Sequence, residues 1–201
     1  MFRKSLVWML TGIALTGMIS CGGKTVSRVG TDTVTDLSGR WNDTDSRLVA
    51  EEMVKDALSR PWVDNFMKKS GKEPTVIVGT VVNRSNEHIN VQTFVNDLQR
   101  ELTNSGRVSF VAGKGEREEI REERVDQAKN SADETVKGPG KEIGADYMMI
   151  GTINTILDEA EGTKAVFYQV DLEMVDMANN KKVWLGQKKI KKIIERSRIK
   201  F

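Results

Sequence analysis

The chain is poor in the residues from which most catalytic and metal centres are built. Its 201 residues include one cysteine, one histidine, two tyrosines and three prolines. One cysteine excludes an intramolecular disulfide. One histidine, His88, with no second histidine and no nearby cysteine, makes a poor metal site. It cannot on its own declare a Ser-His-Asp grouping, and its setting in NRSNEHIN just before a helical stripe reads as a surface or capping role. Gly113-Lys114-Gly115 is followed by Glu116, which excludes a phosphate loop. An excess of one charge is also missing: 31 Lys plus Arg face 29 Asp plus Glu. No basic field for nucleic acid results.

Long apolar runs are absent after the first twenty residues, MFRKSLVWMLTGIALTGMIS. Arg3 and Lys4 followed by an uncharged stretch to Ile19 and a small residue describe a secretory signal over 1–20. The stretch is shorter than the ~20 apolar residues of a comfortable membrane span. Cys21 stands at its exit, and Leu15-Thr16-Gly17-Met18-Ile19-Ser20-Cys21-Gly22 resembles a bacterial lipobox, with Met18 where leucine is usual. The expectation is lipidation of Cys21, and several acyl chains on one cysteine exceed the two-chain requirement for stable anchoring. Gly22 rather than Asp after the cysteine favours the outer membrane by resemblance to known sorting rules. Cleavage before Cys21 removes Arg3 and Lys4 and no acid, leaving 29 bases against 29 acids. About 180 residues then suit one domain with a real core.

Residues 22–36, rich in Gly, Thr, Ser and Asp, read with Cys21 as a lipid-bearing tether over 21–36, and 37–201 as the globular domain. Leu37–Trp41 reads as a short strand. Val49, Met53, Val54, Ala57 and Leu58 then give one helix face, with N-cap candidates in Asp43–Ser46. Ser59 and Pro61 open a second helix whose buried side is Trp62, Phe66 and Met67, and Gly71 stops it. PTVIVGTVV, 74–82, is a β-branched run of the kind buried on both faces. Val91, Phe94, Val95, Leu98 and Leu102 form another helical stripe closed by Gly106, and 108–111 a short strand. Residues 114–135 are mostly charged, with Ile120 and Val125 nearly alone as apolar residues; acids interleaved with Arg at helical spacing need no catalytic explanation. A short helix is expected over 136–144. Three strands finish the chain, over 146–157, 165–177 and 182–192, with Asn179-Asn180 as a turn. Trp41, Trp62 and Trp184 read as core rather than pocket.

The expected fold is α/β in the α+β sense: a mixed sheet of four to five strands with flanking helices and a C-terminal meander. With no catalytic constellation in view, the polar run Asp43–Ser46 reads as structural. The residues that could meet a partner are Arg117, Arg121 and Arg124 in the charged segment, and Lys188, Lys191 and Lys192 in the basic last strand, whose lysines also discourage addition of another strand.

GRWNDTDSRLVAEEM, VGTVVNRSNEHINVQTFVNDLQRELTNSGRVSFVA, EREEIREERVDQ, EIGADYMMIGTIN and YQVDLEMVDMANNKKVWLGQKKIKK, in that order over about 37–195, resemble the LpoB family of penicillin-binding protein activators. The resemblance implies an outer-membrane lipoprotein whose periplasmic domain is similar to the N-terminal domain of TolB. It implies a partner, a bifunctional peptidoglycan synthase whose two activities are stimulated, and no enzymatic activity, cofactor or small-molecule substrate of the chain's own. The enteric member has a long proline-rich tether; here about 15 residues reach at most ~50 Å, so span across the periplasm is limiting. A part in an envelope assembly or secretion complex of the CsgG type is the alternative reading, although the membrane-spanning strand pair of those proteins has no counterpart here.

Overall fold

The computed structural model describes residues 25–195; the expected signal peptide and Cys21 lie outside them. Residues 25–33 form a unit of their own without helix or strand, and 34 onward the domain. The domain's elements in chain order are α1 (Asp43–Ser59), α2 (Trp62–Ser70), β1 (Thr75–Arg84), α3 (Val91–Asn104), β2 (Ser109–Phe110), α4 (Lys114–Asn130), β3 (Tyr147–Ala160), β4 (Thr163–Asp176) and β5 (Lys182–Glu195). They make one mixed five-stranded sheet in the order β2-β1-β3-β4-β5. β1 runs parallel to both β2 and β3, and β3, β4 and β5 form the antiparallel meander.

Leu37–Trp41 is not a strand. Gly39 sits at φ 68°, which breaks an extended run, and a Cβ there would overlap the Ile194 side chain. The α1 cap is Asn42, one residue before the expected group. Its Oδ1 accepts from the Asp45 amide at 3.0 Å while Asp45 Oδ2 accepts from the Asn42 amide at 3.0 Å. This reciprocal pair satisfies two helix-end donors and makes Asp45, Thr44 and Ser46 buried structural polar residues. Behind it, Val49, Ala50, Met53, Val54, Ala57 and Leu58 are buried. Ser59 does not cap α2; its hydroxyl donates to the Asp56 carbonyl, and Pro61 precedes α2 without a side-chain cap. Gly71, at φ 71°, ends α2. Met67 is 40% exposed, so the buried side of α2 is Trp62 and Val63, with Phe66 packed at its margin.

The helices α1, α2 and α3 share one core with a single face of the sheet. That face carries Met149 and Ile153 of β3 and Val166, Tyr168, Val170, Leu172 and Met174 of β4. β1 is flanked by strands and is buried on both faces over Thr75–Val78, Ile77 included, but its second half is covered on one face only. An irregularity between Val78 and Val81 shifts its phase, so Val76, Val78 and Val81 point into the core while Val82 is 41% exposed on the other side. The helix-free face also shows Ile156, Leu185 and Ile193. The tryptophans serve packing: Trp62 and Trp184 are buried, and Trp41 lies edge-on to Phe94 at 6.1 Å and to Tyr168 at 5.6 Å. Residues 136–144 are not helical; Gly138-Pro139-Gly140 interrupts any turn they could start.

Candidate functional site

α4 is the element the core does not explain. It buries none of its residues, and Ile120 and Val125 are 41% and 44% exposed. Its start is held by the Glu116 carboxylate, which accepts from the Gly113 amide at 2.7 Å. Helical spacing puts Arg117, Arg121 and Arg124 on one side, where all three meet Glu142 of the segment that returns to β3. Arg121 is bidentate, Nε to Oε1 and Nη2 to Oε2 at 2.8 Å each. Arg117 and Arg124 stand at 3.9 and 3.8 Å. The Arg121 hydrogen bonds hold the Glu142 carboxyl below its ordinary range, and Glu142 in turn raises Arg121. Three guanidiniums around one carboxylate leave positive charge over, and the Arg117 Nε is buried without a hydrogen-bond partner.

The lysines of β5 divide by face. Lys188 and Lys192 point to the helix side and are engaged there. Lys188 pairs with Glu52. Lys192 Nζ lies 2.6 Å from both Asp36 Oδ1 and Asp45 Oδ2 and donates to the Arg40 carbonyl at 3.1 Å. With the Trp184 Nε1 bond to Asp56 Oδ2 at 2.8 Å, these contacts make a polar ladder joining α1 to β5. Lys191 points to the helix-free face and is exposed. The structure therefore does not gather the six basic candidates. The arginines lie on α4, which leaves from the β2 edge of the sheet, and the lysines form the opposite edge.

Sequence reasoning missed Glu87. Its Oε1 accepts from the Tyr168 hydroxyl at 2.8 Å and its Oε2 from the Trp41 amide at 3.1 Å, closing residues 38–41 onto β4. Burial, then the Glu87 hydrogen bond, pushes the Tyr168 hydroxyl far above its ordinary range. Neighbouring His88, by contrast, is exposed. Among the described residues, no group of three or more His, Cys, Asp or Glu is arranged to hold a metal ion, and no helix is long and apolar enough to cross a membrane.

What these surfaces can do is bind by charge. A family model described as peptidoglycan-synthase activator LpoB matches residues 45–190. The chain belongs to the LpoB family. The LpoB match runs from the Asp45 cap through α4 and Glu142 to Ile190 in β5; Cys21 and the expected tether precede it, and Lys191 and Lys192 follow it. LpoB proteins are activators of peptidoglycan synthases, regulators rather than enzymes. Among solved structures, the chain is similar to the LpoB C-terminal domain from Salmonella enterica, at 16% identity and TM-score 0.40 over 76% of this chain and 99% of that one. Lipoprotein GNA1162 from Neisseria meningitidis matches at 14% identity and TM-score 0.39, over 63% and 88%. The PelC dodecamer from Paraburkholderia phytofirmans matches at 13% and 0.36, over 59% and 71%. The search of curated proteins finds no match.

Proposed function

We propose that this chain is a lipid-anchored periplasmic regulator that docks on a bifunctional peptidoglycan synthase, a penicillin-binding protein, and stimulates it. The anchor is Cys21, the membrane is the outer membrane, and the domain faces the periplasm. The observation that carries the reading is the LpoB match, which spans the folded domain from α1 into β5. The chain contributes contact and no chemistry.

The docking surface is α4 with the adjoining β2 edge. A helix with no buried residue is not kept for packing. Its arginine side carries surplus positive charge, and guanidinium forks suit carboxylates on a partner. Such a surface steers association more than it supplies apolar affinity, so added salt weakens it over the ~8 Å screening length of physiological ionic strength. The test measures glycan polymerisation and cross-linking by a candidate synthase with and without the full chain, together with association kinetics at two salt concentrations. Stimulation is expected. Reversing Arg117, Arg121 and Arg124 to Glu lowers the association rate; because the same change removes the contacts to Glu142, the rate is measured on protein shown to be folded by circular dichroism. A synthase that neither binds nor responds overturns the reading. Unchanged kinetics in the triple variant move the docking surface off α4.

A further inference from the structure

β5 is a long exposed edge. Fourteen residues, Lys182–Glu195, pair with β4 on one side. On the other side, among the described residues, no strand follows in the sheet and no loop backbone hydrogen-bonds to the β5 main chain. The opposite edge strand, β2, has two residues and offers no comparable template. An open edge is a row of unmet N–H and C=O groups, usually protected by lysines.

The lysines here are not all used in the same way. Lys188 and Lys192 are consumed by α1 and by Asp36. Lys189 and Lys191 lie on the helix-free face, exposed, and among the described residues neither pairs with a carboxylate. Their partners across β4 are Gln169 and Phe167, which are neutral. Flanking them on the same face are Leu185, 68% exposed, and Ile193, 55% exposed. The row along the edge is therefore apolar, Gln187, basic, basic, apolar, at every second residue. A second copy of β5 is a poor fit, because pairing centred on 188–192 sets lysine against lysine.

We infer that β5 is a β-augmentation site for an extended protein segment with two acidic residues at alternating positions between apolar ones. The segment adds antiparallel, continuing the meander, since antiparallel ladders are the stronger. Main-chain bonds supply affinity and the alternate side chains supply choice. The acids stand opposite Lys191 and Lys189, and the apolar residues opposite Ile193 and Leu185. The lysines thus repel basic strands and copies of this edge while admitting an acidic one. This inference is independent of the synthase reading and is tested without a synthase.

The test titrates the isotope-labelled full chain with the capped peptide Ile-Thr-Glu-Thr-Glu-Thr-Thr-Thr-Ile and follows the amides by nuclear magnetic resonance and hydrogen exchange. The expected result is slowed exchange confined to 184–194, and about tenfold weaker binding of the same peptide with Lys in place of Glu, from two cross-strand pairs changing sign. The K189E/K191E variant should reverse that preference, which shows that it is folded and that these two side chains choose. The same peptide N-methylated at alternate residues should not bind, since it keeps the charges and loses the ladder. Equal binding of the Glu and Lys peptides, protection elsewhere on the domain, undiminished binding of the N-methylated peptide, or no binding each overturns the inference.

Discussion

Lys192 shows how one side chain can look like a binding residue in sequence and be a structural one in space. It sits in the run KKIKK, yet its ammonium lies between Asp36 and Asp45, with its side chain 10% exposed and that of Asp45 8%. The α1 cap, the residues entering the domain and the last strand meet at this one charge. Burial alone lowers the pKa of Lys192, but the hydrogen bonds it donates to Asp36 and Asp45 outweigh burial and the net shift is upward. The Lys192 hydrogen bond lowers Asp36. A raised lysine pKa contributes stability fully below the unfolded value of ~10.4 and loses it as pH rises through the folded value. A lowered aspartate contributes above ~3.9 and loses it as pH falls through its folded value. Lys192→Met should cost about 3–5 kcal/mol in urea unfolding, because it leaves the buried Asp45 carboxylate without its countercharge. The exposed Asp36 arm adds little of this. Adding Asp45→Asn to Lys192→Met should recover part of the loss. The parent's excess stability over Lys192→Met should be flat near neutral pH and shrink above pH ~10.4. A variant as stable as the parent would make this cluster a free surface.

Among elements, α1 and β5 explain what could and could not be read beforehand. The stripes of α1 and α3 and the alternation of β4 follow from the periods of helix and strand, and these elements stand as expected. Local geometry set the failures. Gly39 turns a short apolar-to-aromatic stretch away from a strand, and Gly138-Pro139-Gly140 removes a helix. Contacts distant in sequence were also invisible: Glu87 to Tyr168 spans 81 residues and Lys192 to Asp45 spans 147. Periodicity cannot report such pairs, so it does not distinguish the engaged Lys188 and Lys192 from the exposed Lys191. α4 was legible as solvated, but its return through Glu142 was not. The cap is a separate test at this scale. Asn42→Ala should lower stability by about 0.5–2 kcal/mol and leave synthase binding, measured on the folded fraction, unchanged. Loss of binding at an unchanged melting temperature would make the Asn42–Ser46 turn a contact surface.

For the whole molecule, the proposed anchor makes reach the controlling quantity. The domain begins to be held at Thr35 and Asp36, where Asn42 Nδ2 donates to the Thr35 carbonyl at 3.4 Å and to Asp36 Oδ1 at 2.7 Å. The proposed tether therefore has about 13 residues between Cys21 and that point, no more than ~45 Å when fully extended and much less as a relaxed coil. A partner fixed in the opposite membrane is met only when the tether is stretched, and a linker that barely spans its sites gives a low effective concentration. Inserting about 20 Gly/Ser residues between Gly30 and Thr31 should then raise crosslinking to the synthase in cells, as a flexible linker relaxes the span. Stimulation of the purified synthase in detergent should stay the same, because neither partner is held at a distance there. Cys21→Ala is the companion control, expected to accumulate as precursor and lose detergent-phase partitioning. If the longer tether instead lowers crosslinking, anchor and synthase share one membrane. Effective concentration then falls with linker length in the ordinary way, and the outer-membrane assignment fails while the docking reading stands.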